Sequence, residues 1–265
     1  MNDIHIQLVE TIRKYDSNPD RQLLENQLGS YDMNFRTPSG ETLLFEVVQW
    51  IRNEDFQLEI INKFILLGMN PNHSNYNYGR TVGFYTKSAK VLKLLVSKGL
   101  NVNHIDNSDW TAAHYNISST ELFKEFIDLG LDLNYKRSNN QNIVFSIIND
   151  DRIDDLKKYK LLETHPQLFE EQDIHGFTPL MYSIVVDNFN SASYLLSKNL
   201  GTSQLTLKDY NFTRFTDSEN PITIPSGSTY RDMNSILSTW LDSNSNGNEY
   251  LEEYKYNLEN LENSN

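Results

Sequence analysis

Hydrophobic residues along this chain recur in short amphipathic blocks, and several blocks end at a glycine. Three of them read FILLGMNPN (64–72), LLVSKGLNVN (94–103) and FIDLGLDLN (126–134). Their glycines, Gly68, Gly99 and Gly130, are 31 residues apart each time. A glycine just past the last helical turn supplies the positive φ that ends a helix. The pattern therefore predicts a series of short helices at a regular interval.

An asparagine follows each of these glycines at the same distance, at Asn72, Asn103 and Asn134. Such a side chain can bond the backbone of the next turn and tie neighbouring units together. A second frame recurs in phase with the first, as SGETLLF (39–45), YGRTVGF (78–84), SDWTAAH (108–114), NNQNIVF (139–145) and HGFTPLM (175–181). Units of this kind must stack on one another because none buries its apolar face alone.

The second frame has the residues that start a helix. A good N-cap residue occupies the same place in every copy, at Thr42, Thr81, Thr111, Asn142 and Thr178. Asp109 and Asn140 stand where a turn glycine belongs, and both residue types tolerate the left-handed conformation. We therefore expect five tight turns, each leading into a helix.

The fifth copy, DIHGFTPL, resembles the turn and helix start of an ankyrin repeat, which has the pattern D-x-x-G-x-T-P-L. Gly176 makes the turn, Thr178 caps the helix and Pro179 takes its first position. The chain is identified as a divergent member of the ankyrin-repeat family over residues 1–200. The resemblance implies an all-α fold, an irregular helical solenoid of about five to six repeats.

Residues 201–265 form the second predicted domain. They begin with a stretch that has no helical period, 201–227, followed by an apolar-faced helix over 228–241 and another helix in the tail. We expect an extended segment and a helix-turn-helix that packs on the last repeat.

A calcium-loop motif lies between the two C-terminal helices, in DSNSNGNEYLEE (242–253). It fits the EF-hand template, which supplies several oxygen ligands from one loop. The candidate metal ligands are Asp242, Asn244, Asn246, Asn248 and Glu253. However, Glu249 stands where an aliphatic residue belongs, and no second loop exists. We prefer a polar turn and expect no cofactor, with a structural calcium ion as the alternative.

Composition narrows the function classes. The chain has 36 acidic against 23 basic residues, a net charge of −13, and no cysteine. Acidity disfavours nucleic acid and anionic lipid as partners and attracts basic proteins. The N-terminal stretch does not resemble a signal peptide, and no apolar run could span a bilayer, so we expect a soluble cytoplasmic protein. No phosphate loop, H-E-x-x-H or G-x-S-x-G motif is present, so we expect no enzyme activity.

Ankyrin-like proteins bind other proteins through their turn tips and inner helices, and the resemblance implies the same here. Large side chains at the tips, above all Trp110 and Phe177, are expected to be exposed for a partner because aromatic residues dominate interface energetics. The candidate partner-binding residues are Tyr78, Arg80, Asn107, Trp110, Asn139, Gln141, His175, Phe177 and Trp50.

The resulting hypothesis is a non-enzymatic binding protein of the kind represented by bacterial immunity proteins. Such a protein would neutralise a basic toxin delivered by type VI secretion or by contact-dependent machinery, and its acidity would speed their encounter. Three alternatives remain: an effector or adaptor that binds a host protein, a calcium-stabilised interaction module, and an enzyme with its active site in the C-terminal tail.

Overall fold

The structure, a computed structural model, describes residues 3–14, 21–29, 31–150, 155–186, 188–198 and 200–201. Within these ranges it has twelve α-helices, a 3-10 helix at Val82–Phe84, and no strand, which confirms the all-α class. The candidate calcium loop lies outside the described residues, as does the predicted C-terminal extension apart from Gly201. The helices are α1 (Asp3–Lys14), α2 (Arg21–Leu28), α3 (Leu43–Trp50), α4 (Glu54–Leu66), α5 (Ala89–Ser97), α6 (Ala112–Tyr115), α7 (Thr120–Asp128), α8 (Ile143–Asp150), α9 (Asp155–Leu162), α10 (Gln167–Glu170), α11 (Pro179–Val185) and α12 (Phe189–Ser197).

The chain divides into two compact units, Met1–Asp132 and Leu133–Asn265. In the first unit the helices form two rows. Helices α4, α5 and α7 pack side by side in one row, while α1, α3, the 3-10 helix and α6 follow one another in the other. Apolar side chains from both rows are buried between them, including Phe45, Phe64, Leu92 and Phe123. Burial of these apolar surfaces is the main stabilising term for such short helices.

The second unit repeats the arrangement on a smaller scale. Helix α8 packs against α9 and α11, and α12 packs against both α9 and α11. Tyr159 and Tyr194 stack with their ring centroids 5.3 Å apart, and the Tyr159 hydroxyl donates to Ser191 Oγ at 2.7 Å. The buried phenol is thus satisfied, as a polar group in a core must be.

The helix-ending glycines behave as the sequence predicts. Gly68, Gly99 and Gly130 have φ values of +100°, +94° and +92°. After each of them the chain folds back on the helix, so that for example the Leu131 N–H donates to the Phe126 carbonyl at 2.9 Å. This bond satisfies a carbonyl that would otherwise be left open at the helix end.

The predicted asparagine bonds between neighbouring turns are confirmed at two positions of the first unit. Asn72 Nδ2 donates to the Gly99 carbonyl at 2.7 Å, and its Oδ1 accepts from the Asn101 N–H at 2.7 Å. Asn103 bonds Gly130 and Asp132 in the same way, at 3.0 and 2.8 Å. Each side chain therefore fastens its own turn to the following one.

The predicted N-caps are only partly correct. The side chains of Thr111, Asn142 and Thr178 each accept a backbone N–H of the helix that they precede. Thr42 and Thr81 make no such bond, although each directly precedes its helix. Helix α11 begins at Pro179, as the resemblance implied.

Five tight turns, here called tips 1 to 5, precede α3, the 3-10 helix, α6, α8 and α11 in that order. In each tip the first residue pairs through its backbone N–H with the carbonyl of the last, and a residue with positive φ closes the turn. Asp109 and Asn140 have φ values of +66° and +61°, which confirms that they replace the turn glycine. The tips span residues 37–41, 75–80, 106–110, 137–141 and 173–177.

Adjacent tips are bonded within each unit. In the first unit the Tyr76 N–H donates to Ser39, and the Asn107 N–H donates to Tyr78, at 2.7 and 2.8 Å. In the second unit the Ile174 N–H donates to Asn139 at 3.0 Å. Backbone bonds thus hold tips 1, 2 and 3 in a row, and tips 4 and 5 in another.

Replacing Gly79 by alanine tests how closely tips 2 and 3 approach each other. Gly79 has φ +69°, and a Cβ there would come within 2.3 Å of Asn107 Oδ1 in tip 3. We expect a loss of about 1 to 2 kcal/mol of unfolding free energy from left-handed strain, and a smaller further loss because the exposed Asn107 side chain must turn away and its backbone nitrogen lies 3.2 Å from the added Cβ. Gly176→Ala is the matched control, since its φ is +80° but no atom lies within 4 Å of its Cβ. Equal losses for the two variants in urea unfolding would contradict the clash.

Candidate functional site

Tip 2 contains an arginine held between aromatic rings. The Arg80 guanidinium lies 4.2 Å from the Tyr115 ring centroid and 5.0 Å from that of Tyr78. Its Nε donates to Asp106 Oδ2 at 2.8 Å, and the Asp106 side chain is fully buried. Burial by itself would lower the pKa of Arg80, but the hydrogen bond and charge of Asp106 outweigh it and raise the pKa above its usual value. The guanidinium is therefore fixed and charged.

A second arginine covers Trp50 at the end of α3. The Arg13 guanidinium lies 5.0 Å from the indole and donates two hydrogen bonds to Glu46, at 2.8 and 2.9 Å. Bidentate pairing of this kind fixes the plane of the guanidinium. Trp50 nevertheless remains 46% exposed. The ring is thus held in one orientation while much of its surface faces solvent.

A third arginine, Arg36, packs against the ring of Tyr76 in tip 2. The Arg36 guanidinium lies 4.5 Å from the ring and donates to the carbonyls of Gly40 and Ser74. A Cβ on Gly40 would meet the Tyr76 ring at 2.7 Å, so the ring lies directly over tip 1. Tyr76 is exposed, like its near neighbour Tyr78.

Electrostatic contacts connect the Arg13 and Arg80 groups. The pKa of Arg13 is raised first by its hydrogen bond to Glu46 and further by the charge of Glu41. The pKa of Tyr85 is raised mainly by burial, with smaller effects from the nearby charges of Arg80 and Glu41. Glu41 is thus close enough to influence both Arg13 and Tyr85, and Arg80 is close enough to influence Tyr85. We call the combined surface the aromatic–arginine face, defined by Trp50, Tyr76, Tyr78, Tyr115, Arg13, Arg36 and Arg80.

Three of the candidate binding residues predicted from the sequence, Trp50, Tyr78 and Arg80, belong to this face. Asn107 is exposed in tip 3, next to Tyr78, and its backbone N–H bonds the Tyr78 carbonyl. Trp110 is only half-exposed, since its ring meets the edge of His114 at 5.7 Å. The expected exposure of Trp110 is therefore met only in part, and its contact with a partner stays a prediction.

The four candidates in the second unit differ sharply in exposure. His175 is exposed and Asn139 half-exposed, but Gln141 is buried and donates to Asp173 Oδ2 at 3.3 Å. Phe177 is 2% exposed, so the expectation that it faces a partner is wrong. Gln141 and Phe177 are each the last residue of a tip, the place from which the chain turns into the next helix.

The tips explain why exposure could not be predicted from residue type. Tyr78, Ser108 and His175 occupy one equivalent place, where the backbone N–H bonds the first side chain of the tip, and all three are exposed. The last place of the tip is less exposed: Gln141 and Phe177 are buried there, and Arg80 and Trp110 are half-buried. A large residue at this last place packs at least in part against its neighbours, and only the half-buried ones keep some surface open to solvent.

Sequence reasoning missed Tyr76, Tyr115 and Asp106. Tyr115 ends α6, a helix of only four residues, so no apolar period marked its exposed face. Asp106 begins tip 3, and its Oδ1 accepts from the N–H groups of Ser108 and Trp110. The aspartate of the D-x-x-G-x-T-P-L pattern, repeated at this place, was the signal that could have revealed it.

The described residues do not assemble a metal site. No three His, Asp or Glu side chains among them are grouped so as to hold a metal ion. The described part of the chain also has no helix long and apolar enough to cross a membrane. The aromatic–arginine face is thus the feature with the most evident capacity for binding.

The fold was compared with those of known proteins. No protein-family model matches the sequence, and no curated protein matches it. Among solved structures, the chain is similar to the immunity protein in "Bd0816 Predatory Endopeptidase from Bdellovibrio bacteriovorus in complex with immunity protein Bd3460". The TM-score is 0.58 and the identity 18%, over 72% of this chain and 97% of that one. At this identity the likeness concerns the fold.

Proposed function

We propose that this chain is a non-enzymatic protein-binding protein, a cytoplasmic immunity protein that blocks a toxin enzyme, built as a divergent ankyrin-type array. The observation that carries the proposal is the aromatic–arginine face of the first unit. It presents Trp50, Tyr76, Tyr78 and Tyr115, all exposed, with an arginine stacked on each.

Such a face is suited to bind protein for two reasons. Tryptophan, tyrosine and arginine are enriched among the residues that contribute most to protein–protein affinity. The arginines also hold the rings before any partner arrives, so less side-chain entropy is lost on binding. Exposed aromatic surface of this extent is costly in a protein that binds nothing.

The fold comparison supports the immunity role. The similar protein is called an immunity protein and was solved in complex with an endopeptidase. The present chain shares that fold over most of its length, and its own surface has the chemistry of an interface. By analogy, its partner is a toxin enzyme.

The charge of the chain favours a basic partner. A net charge of −13 accelerates the encounter with a positively charged protein and slows encounter with nucleic acid. We therefore expect the association rate to fall as ionic strength rises, with a smaller change in the dissociation rate.

The test is a pull-down from the source cell with tagged protein, followed by purification of the captured partner. Trp50→Ala combined with Tyr78→Ala is expected to lower affinity about 100-fold or more, because both rings are candidate hot spots. Leu66→Ala is the matched control, since Leu66 is an exposed apolar residue at the end of α4, outside the face.

The outcomes separate the candidate functions. A captured enzyme whose activity is inhibited by wild type but not by the double variant supports immunity. An enzyme that stays fully active when bound, or a partner with no toxic activity, overturns immunity and leaves an adaptor. Equal binding by wild type and the double variant would show that the aromatic–arginine face is not the surface that binds the partner.

A further inference from the structure

The Arg80 guanidinium is held by aromatic rings and by a carboxylate, with the Phe84 ring centroid 5.8 Å away behind the closer neighbours. Tyr115 and Tyr78 lie 4.2 and 5.0 Å away, and Asp106 accepts its Nε hydrogen at 2.8 Å. Only 16% of the Arg80 side chain is exposed. We call this group the Arg80 cradle, defined by Arg80, Tyr78, Tyr115 and Asp106.

The outer edge of this guanidinium has free donors. Its two terminal nitrogens carry four N–H groups, and no described residue accepts from them. The rings and Asp106 hold these donors in one plane, so a partner would lose little freedom in meeting them. Tyr78 and Tyr115, which lie against this guanidinium, are each about half exposed.

The charge around the cradle selects the acceptor. Asp106 is fully buried and neutralises Arg80, so the pair attracts an incoming anion much less than a lone arginine would. The net charge of −13 further disfavours a carboxylate or a phosphate. A neutral acceptor that can receive a planar donor edge fits better, and the most abundant one on a protein is the main-chain carbonyl.

We propose that the Arg80 cradle binds a main-chain carbonyl in an exposed loop of the partner protein, with the loop lying across Tyr78 and Tyr115. This inference rests on the proposed protein-binding function. It goes further by assigning the central contact and the chemical group that the partner contributes. It also implies that the contact tolerates many side chains in the loop, because the carbonyl belongs to the backbone.

The experiment uses a random peptide library displayed on phage and selected on the full-length protein. A selected peptide is synthesised, and its dissociation constant is measured for wild type, Arg80→Lys, Tyr115→Ala and the control Lys93→Ala, an exposed residue of α5. Arg80→Lys keeps the charge beside Asp106 but loses the planar donor edge. We expect about a tenfold loss of affinity for each cradle variant and no change for Lys93→Ala.

A backbone ester scan then identifies the acceptor. Replacing one amide of the peptide by an ester weakens its carbonyl as an acceptor. We expect one position at which the ester reduces wild-type affinity by about tenfold and reduces Arg80→Lys affinity much less. Such coupling connects that carbonyl to Arg80.

Each other outcome overturns the proposal that the Arg80 cradle binds a main-chain carbonyl. A consensus rich in Asp or Glu would assign a charged acceptor, and equal affinity for wild type, Arg80→Lys and Tyr115→Ala would place the contact elsewhere. No peptide enrichment over an unrelated protein would also reject it. None of these results affects the proposed function, which is judged by the Trp50 and Tyr78 variants against the natural partner. Melting curves of both cradle variants verify folding, and Tyr115→Ala removes only a half-exposed ring.

Discussion

Asp106→Ala is expected to lower the free energy of unfolding by about 3 kcal/mol, because a buried carboxylate with three donors is removed. Asp106 Oδ1 accepts from the N–H groups of Ser108 and Trp110 at 2.9 and 3.0 Å, and Oδ2 accepts from Arg80. Without the carboxylate, tip 3 loses the side chain that closes it and Arg80 loses its counter-charge. Urea unfolding followed by circular dichroism measures the change.

Asp106→Asn is the matched variant. Asparagine occupies the equivalent place in tip 2, where Asn75 Oδ1 accepts from the N–H groups of Tyr78 and Arg80. The amide can therefore form the two hydrogen bonds of the turn but not the ion pair with Arg80. We expect the free energy of unfolding to fall by about 1 to 1.5 kcal/mol. A loss for alanine no larger than that for asparagine would show that the turn bonds contribute nothing.

Phe177→Ala is expected to cost about 4 kcal/mol, since the ring is 2% exposed and its removal leaves a cavity. Phe177→Leu keeps most of the volume, and we expect it to cost about 1 kcal/mol. Both are measured by urea unfolding of the full-length protein.

Tyr78→Ala provides the contrast to Phe177→Ala. Both residues are tip aromatics in the sequence, but Tyr78 is 53% exposed. We expect Tyr78→Ala to change the unfolding free energy by about 0.5 kcal/mol, because little buried surface is lost. Similar losses for Tyr78→Ala and Phe177→Ala would contradict the division between covered and exposed tip places.

The helix ends and turns could be predicted from the sequence because they depend on local backbone geometry. The positive φ predicted for a glycine at a helix end is found at Gly68, Gly99 and Gly130. The left-handed conformation expected of turn residues is found at Asp109 and Asn140. These conformations follow from steric limits within a few residues. Asparagine bonds at Asn72 and Asn103 also agree with prediction, because the repeat interval places each beside the next turn.

The binding surface could be predicted only in part. Trp50, Tyr78 and Arg80 were identified by residue type and place, whereas Tyr76, Tyr115 and Asp106 were not. Phe177 was assigned to the surface because large tip side chains resemble hot-spot residues. Residue type does not distinguish an aromatic ring that meets a partner from one that meets the core, since both bury apolar area.

The sequence alone determined where the helices after the five tips begin, where three helices end at a glycine, which residues close the turns, and that the class is all-α. Tertiary structure decided which tip side chains reach solvent and which arginine lies against which ring. The Arg80 cradle joins residues from two successive repeats, with Asp106 and Tyr115 lying 26 and 35 positions beyond Arg80. Local sterics act over a few neighbouring residues, but burial and cation–π contacts depend on packing between units, and only the folded chain brings those groups together.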